Sequence, residues 1–354
     1  MRFSTQIADL SIIIVGFCAN TGVIPRRFTI TATAQRTSCL FQRPEDKENT
    51  ADKPKKTEKA TTPKPVDLTK LHSLADLFRK EEDFDQGKEK VLKFISEKAD
   101  ELLDDEYELV FLYDASSISE HTADRIYDSL YGCGGDKVLL SIHSGGGRIE
   151  PAYLISKCCR DSCKEFHVCI PRRAKSAATL ISLGAHKIHM GMMSELGPID
   201  PQISGLPALG LNNALKTITD LTKETPEASD MFAQYLQGQL PIQMLGYYER
   251  VSESATQYAE RLLKGVPHAD KIAHKLVYEY KDHSFVIDKE EAKEILGDKI
   301  ASDTKEYTFS KLVHSVFDNL TLIMDVLHRR NFTFVGSQSD DMIFLPKPKA
   351  DDNN

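Results

Sequence analysis

The chain has 354 residues, 41% of them hydrophobic and 28% charged, which is the composition of an ordinary globular protein with room for one large or two smaller domains. Its formal net charge of -8, without a basic stripe that could neutralise phosphates, argues against a nucleic-acid-binding protein. The seven cysteines are an odd number, and Cys158, Cys159 and Cys163 share one predicted helix without CxxC spacing, so the pattern predicts neither a disulfide framework nor a zinc site.

Residues 1–66 are predicted to precede the folded domain. The segment up to Arg43 is rich in Ser, Thr and Arg and has Asp9 as its single acid, which is typical of an organellar transit peptide. Residues 10–19 also resemble a signal-peptide core, but they are fewer than the roughly 20 residues that span a membrane. A transit peptide, a signal peptide and an untargeted disordered leader all stay open, and so do a cytoplasmic or mitochondrial location and membrane association.

A single folded domain is expected over residues 67–350. Its first part alternates strands and helices at short intervals, which is typical of an α/β core with a largely parallel sheet. The predicted elements are two amphipathic helices in 71–78 and 91–102, strand 107–113, helix 120–130, strand 138–142, helix 149–160, strand 166–170, helix 176–183 and strand 187–190.

Beyond residue 202 the pattern is mostly helical. Asp288 is predicted to cap a helix that ends at Gly297. The remaining predicted elements are a glycine and proline loop over 206–210, helices over 231–240, 247–263, 269–280 and 309–327, and short strands over 332–335 and 342–345.

The first loop with candidate chemistry follows strand 138–142. Ser144 is followed by three consecutive glycines, 145–147, and then by a helix. Glycines permit positive φ and a close approach of the backbone to a ligand, and the helix start adds the positive end of its dipole. The loop fits an oxyanion cradle or a plain tight turn, and it is no phosphate loop because no Lys-Ser/Thr pair closes it.

The second loop carries Ser176, one strand further along the chain. The small neighbours Ala177 and Ala178 would let a substrate approach the hydroxyl, and the N–H of Ala177 would lack an intrahelical partner. Ser176 fits a nucleophile and equally an N-cap. Because both loops follow strands of one parallel sheet, where sites gather, their pairing favours acyl transfer.

These motifs resemble the serine dehydrogenase proteinase family, which belongs with signal peptide peptidase A and the Clp protease proteolytic subunit in the ClpP/crotonase fold. The resemblance rests on Ser144-Gly-Gly-Gly147, Ala174-Lys-Ser-Ala-Ala-Thr179, Leu183-Gly-Ala and Ser194-Glu-Leu-Gly-Pro-Ile-Asp-Pro-Gln202. It implies a ClpP/crotonase-like α/β core with repeated β-β-α units and a largely helical C-terminal part.

By this resemblance Ser176 matches the nucleophile, while Gly146 and Ala177 match the backbone donors of the oxyanion hole. The resemblance also implies a peptide or protein substrate and a homo-oligomer, and it implies no cofactor or metal. Gly145 stands where the wider group usually has proline, which softens the loop without removing a donor.

The general base is not evident from the sequence. A serine nucleophile needs a His or Lys within hydrogen-bond reach. The histidine of the Clp subunit would fall within 195–200, where this chain has none, and the lysine of the signal peptide peptidase group would fall within 247–250, which ends in an arginine that stays protonated. Lys175 is expected to point away from the serine. His283, just before the apolar residues 285–287, is a candidate base if the fold brings it back to the serine, and a merely structural histidine is the alternative.

Loop 194–202 is predicted to be rigid because it contains two prolines and a glycine. Its acids Glu195 and Asp200 could bind a ligand, or they could only shape the loop and its packing.

The predicted function is a serine peptidase, or a related acyl hydrolase, that forms an acyl-enzyme on Ser176 and needs no metal or nucleotide. One alternative is a non-catalytic assembly or binding protein that kept the fold without a competent base. A more distant alternative is crotonase-type acyl-CoA chemistry, which uses the same paired amides on a thioester enolate.

Overall fold

The computed structural model describes residues 67–348 except 105, 115, 133–134, 204–205 and 240–241. The predictions for residues 1–66 lie outside the described residues. All described residues belong to the second of two compact units, residues 63–354.

The described core is a mixed α/β fold built on a mostly parallel sheet, as predicted. Its strands run in the order β11-β10-β1-β2-β3-β5-β9, with the short strand β4 pairing with β2 and β6. Strands β1, β2, β3, β5 and β9 are parallel neighbours, and β10 and β11 add an antiparallel edge. The strands of this sheet are β1 Glu108–Asp114, β2 Lys137–Ser144, β3 Glu165–Ile170, β4 Arg173–Ala174, β5 Lys187–Met190, β6 Glu195–Leu196, β9 Ile300–Ala301, β10 Arg330–Ser337 and β11 Ile343–Pro346. Strands β7 Gln202–Ile203 and β8 Leu206–Pro207 form a separate antiparallel pair.

Helices cover both faces of the sheet. Alternate residues of each strand point to opposite sides, so apolar strands give each face its own apolar cluster. In β1, Val110 and Leu112 pack on one apolar cluster, while Leu109 and Phe111 pack on the other. The first cluster includes residues of α3, α4, α5 and α8, and the second includes residues of α1, α2 and α11. The helices are α1 Leu71–Leu77, α2 Phe84–Leu102, α3 Glu120–Leu130, α4 Ile149–Asp161, α5 Ala177–Leu183, α6 Ala208–Glu224, α7 Ser229–Gln239, α8 Ile242–Leu262, α9 Ala269–His274, α10 Lys289–Leu296 and α11 Lys305–His328.

The part after residue 202 is largely helical, but its boundaries differ from the prediction. Residues 206–210 were expected to form a loop, whereas helix α6 already begins at Ala208. Pro207 lies just before the helix, where its missing N–H breaks no helical bond, and Gly210 inside a helix costs only about 1 kcal/mol. The cap predicted at Asp288 is confirmed, since its side chain accepts a 2.9 Å hydrogen bond from the N–H of Glu291.

Cysteines in the described part are free thiols at residues 158, 159, 163 and 169. Burial raises the pKa of the Cys159 thiol well above its usual range, so this side chain packs as a small apolar group. None of the helices among the described residues has the length and apolar character needed to cross a membrane.

Candidate active site

An open cleft of about 660 Å³ lies where the two predicted loops meet. Its walls include the glycine turn 145–147, Ser176, Tyr247 and His283. The two loops come together because β2 and β4 are parallel neighbours, with Ser144 beside Ala174. The carboxyl ends of parallel strands form the usual location for a ligand site in an α/β protein.

Ser176 stands on a sharp turn between β4 and α5. Its backbone has φ 52° and ψ -116°, a conformation that non-glycine residues rarely adopt and that costs about 1–3 kcal/mol. Although Ser176 is the residue before the helix, its side chain makes no capping hydrogen bond. The N-cap interpretation of the sequence therefore fails, and the hydroxyl belongs to the cleft instead.

The glycine turn presses directly against the Ser176 turn. Gly146 has φ 104°, and a Cβ added there would lie 2.8 Å from Cβ of Ser176 and 2.7 Å from the carbonyl oxygen of Lys175. The turn is anchored on its other side because the N–H of Ile118 donates to the carbonyl of Gly146 over 2.9 Å. Only glycine fits this contact, so the packing between the two loops explains why the sequence has a glycine run here.

The two expected backbone donors, the N–H groups of Gly146 and Ala177, differ in whether they already have an acceptor. The N–H of Gly146 donates to Oγ of Ser144 over 3.1 Å. Ala177 is the first residue of α5, a position whose N–H has no acceptor within the helix. A ligand oxygen at Gly146 must therefore share this N–H with Ser144 or replace it as the acceptor.

His283 lies on the same cleft and is paired with a buried carboxylate. Its Nδ1 is 2.7 Å from Oδ1 of Asp200, which is 3% exposed. The other oxygen of Asp200 accepts a 2.9 Å hydrogen bond from the Gln202 side chain. The hydrogen bond to Asp200 raises the pKa of His283 above its usual value, outweighing the opposite effect of burial. Both side chains, His283 and Ser176, line the cleft, and no hydrogen bond joins them among the described residues.

Lys175 turns away from the cleft. Its Nζ donates to the carbonyl oxygens of Phe285, over 3.0 Å, and Leu196, over 3.2 Å, and lies 3.3 Å from Glu195. Glu195 also pairs with Arg172 at 3.1 Å. Glu195 therefore shapes the loop, and Lys175 is held by three partners that leave it no role as a base.

The cleft lining contains no lysine among the described residues. At the point where the signal peptide peptidase group would place one, Tyr247 faces the cleft, and the guanidinium of Arg250 lies 5.8 Å from its ring centre. The partner of His283, Asp200, was not assigned a catalytic role from the sequence. The only signal was its position in the rigid 194–202 loop.

Comparison with known proteins identifies the segment that carries these loops. Residues 110–238 match the profile of the family described as ClpP-like SDH-type serine proteinase. The chain is 39% identical over 77 residues to the uncharacterized protein MJ0137 of Methanocaldococcus jannaschii, a match that spans 22% of this chain and 27% of that protein.

Two solved structures are similar at low identity. A serine-to-alanine mutant of the 1510-N membrane-bound stomatin-specific protease is 14% identical, with a TM-score of 0.37, covering 56% of this chain and 80% of that one. A lysine-to-alanine mutant of that protease, in complex with a substrate peptide, is 13% identical, with a TM-score of 0.37, covering 68% and 88%. The family match over residues 110–238 confirms the resemblance seen in the motifs.

Proposed function

We propose that this protein is a serine peptidase in which Oγ of Ser176 attacks a peptide carbonyl. The proposal rests chiefly on one observation: Ser176 is held in a strained turn, without a capping bond, on a cleft that is also lined by His283, the partner of the buried Asp200. A nucleophile, a base and a group that orients the base are the three parts that acyl transfer requires.

The proposed reaction has two halves. His283 takes the proton of Ser176 as Oγ bonds to the carbonyl carbon, and it then gives that proton to the leaving amine as the peptide bond breaks. His283 then takes a proton from the water that attacks the resulting ester, and it returns that proton to Oγ of Ser176 as the bond between Oγ and the carbonyl carbon breaks and the acid product leaves. Asp200 accepts the Nδ1–H of His283 throughout, which leaves Nε2 free to face the serine.

The oxyanion would be held by the N–H groups of Gly146 and Ala177. One such donor is typically worth roughly 10²- to 10³-fold in rate. The lack of a hydrogen bond between Ser176 and His283 does not oppose this assignment, because catalytic hydrogen bonds are often long without substrate and tighten in the complex.

Active-site labelling tests the proposal. A fluorophosphonate probe should label the wild-type chain once, and Ser176→Ala should abolish the label while the circular dichroism spectrum is unchanged. Ser117→Ala is the matched control, since Ser117 lines the same cleft on a different loop and should label normally. Equal labelling of Ser176→Ala would overturn the assignment of the nucleophile.

A binding protein without turnover is the second candidate, and the engaged N–H of Gly146 is the observation that favours it. Such a protein would bind unfolded peptides with the same affinity in the wild type and in Ser176→Ala, and it would release no cleaved product. Peptide cleavage that depends on Ser176 would exclude this candidate.

The proposal also includes a peptide or protein substrate, a homo-oligomer and a single peptidase domain over residues 67–350. Analytical ultracentrifugation of the full chain measures its oligomeric state directly.

A further inference from the structure

Three ligand-type side chains meet on the sheet face that packs against α2 and α11, apart from the cleft. His167 on β3 and His189 on β5 project from the same face, since Cys169, two residues after His167, is the register partner of His189. Glu306, in the first turn of α11, lies over them. In the described part of the chain these three offer one ligand atom each within 4.8 Å of one another.

The two imidazoles approach each other nitrogen to nitrogen. Nε2 of His189 is 3.1 Å from Nδ1 of His167, and Nδ1 of His189 is 3.6 Å from a carboxylate oxygen of Glu306. His189 is 3% exposed and His167 is 9% exposed. Such burial is expensive for imidazole nitrogens unless each has a partner.

Outer partners lie at the other nitrogen of each ring. Oγ1 of Thr304 is 2.9 Å from Nδ1 of His189, and a carboxylate oxygen of Glu165 is 3.6 Å from Nε2 of His167. Nδ1 of His167 also lies 3.1 Å from the Tyr107 hydroxyl, whose proton goes to Glu306. If each ring carries its proton on its outer nitrogen, the lone pairs of the two inner nitrogens point at each other. Two lone pairs repel, and a cation between them is what makes that arrangement favourable.

We propose that His167, His189 and Glu306 form a binding site for Zn²⁺. Two neutral imidazoles and one carboxylate are ligands that zinc takes in proteins, and a fourth position would be filled by water. Tetrahedral zinc with bonds of 2.0–2.2 Å needs ligand atoms roughly 3.4 Å apart. The two inner imidazole nitrogens, 3.1 Å apart, already come close to this spacing. The three ligand atoms lie within 4.8 Å of one another, so a movement of up to about 1.4 Å remains, and it falls to Glu306, which is the least buried ligand and has a flexible side chain.

The site would link strands β3 and β5 of the sheet to α11, the longest helix in the described part of the chain. None of the three residues lines the cleft that holds Ser176, so the zinc would stabilise β3, β5 and α11 and take no part in the proposed reaction. The Tyr107 hydroxyl donates to Glu306 over 2.9 Å and would hold the carboxylate in place from outside.

A hydrogen-bonded cluster without metal is the competing arrangement. In it the Thr304 hydroxyl donates to Nδ1 of His189, and Nε2–H of His189 donates to Nδ1 of His167. The two arrangements differ in the tautomer of His189, so metal binding separates them.

The test uses the full chain, stripped with a chelator and titrated with Zn²⁺ alone by calorimetry. We expect one zinc per chain and a rise of about 5 °C or more in the midpoint of thermal unfolding at saturation. Glu306→Gln and His189→Gln should each weaken binding by at least about 100-fold, and Thr304→Val by about 10- to 100-fold. His72→Gln, at an exposed histidine elsewhere, should bind as the wild type does.

Cobalt identifies the ligand atoms if zinc binds. Co²⁺ held by nitrogen and oxygen should give visible absorption without the strong near-ultraviolet band of a cobalt thiolate, which would instead indicate a cysteine site. Absence of stoichiometric zinc binding, a thiolate band, or equal zinc affinity in a folded Glu306→Gln chain would each overturn the proposal.

Discussion

Replacing Gly146 by alanine should separate the two loops of the candidate active site while leaving the fold in place. The added Cβ would lie 2.7 Å from a carbonyl oxygen and 2.8 Å from Cβ of Ser176, and neither atom is the end of a flexible side chain. Carbon atoms pack at about 3.5–4.0 Å, so the loops must move apart by about 1 Å.

The expected losses of labelling rate and of thermal stability both follow from this geometry. A displacement of about 1 Å in a catalytic group can cost about 10²-fold in rate, so we expect Ser176 in Gly146→Ala to react with a fluorophosphonate at least 10²-fold more slowly. The φ of 104° adds strain of about 1–3 kcal/mol to an alanine, which lowers the unfolding midpoint of a domain of this size by about 2–4 °C per kcal/mol.

Gly145→Ala is the matched control on the adjacent residue. A Cβ at Gly145 meets no atom within 4 Å, and Gly145 is not among the glycines with positive φ. This variant should unfold within about 1 °C of the wild type and label within a few-fold of its rate. Wild-type labelling by a folded Gly146→Ala chain, or equal damage from the two variants, would refute the assigned contact between the loops.

Two further predictions concern histidines. Neutral His283 is the proposed base, so activity should fall as pH drops through its raised pKa; Asp200→Asn removes the partner that raises this pKa, and the acid limb of the labelling rate should move to lower pH while the rate itself falls by up to about 10⁴-fold. A limb that stays in place would show that Asp200 does not act on the base. Burial lowers the pKa of His143 to about 3, so the unfolded chain binds a proton more readily below pH 6.5, and the free energy of unfolding should fall by about 2 kcal/mol between pH 7 and pH 5 through this residue. His143→Phe keeps the stacking on Tyr113 and should make the free energy of unfolding, measured in urea at several pH values, less dependent on pH. A smaller pH dependence should remain from His314, whose pKa is also lowered. An unchanged pH dependence would contradict the assignment of this effect to His143.

The parallel core could be predicted because its signals are local. The strand predicted over 107–113 is found at Glu108–Asp114, and the helix predicted over 149–160 is found at Ile149–Asp161. Short apolar runs between turn residues specify such strands whichever neighbour they meet. Helix α6 was missed because residues such as Pro207 and Gly210 usually indicate a turn or loop, and only tertiary packing decides whether a helix forms beside them.

Ser176 could be proposed as a site residue from the sequence, but the partner of His283 could not. A serine that opens a helix of small residues leaves a local trace, as does a glycine run after a strand. His283 and Asp200 are 83 residues apart, and no period or motif links them. The same holds for the proposed zinc ligands, of which two follow from strand alternation and Glu306 only from the position of α11.

Backbone hydrogen bonds between the segment that carries Asp200 and the segment that carries His283 hold the two residues together. Leu196 and Ile287 exchange backbone hydrogen bonds of 2.9 and 3.1 Å, with Asp200 four residues after Leu196 and His283 four residues before Ile287. The N–H of Ile199 also donates to the carbonyl of Leu276 over 2.8 Å, so the chain is fastened a second time on the approach to His283. Because these backbone hydrogen bonds lie within a few residues of Asp200 and of the approach to His283, they explain how two residues far apart in the sequence meet at the cleft.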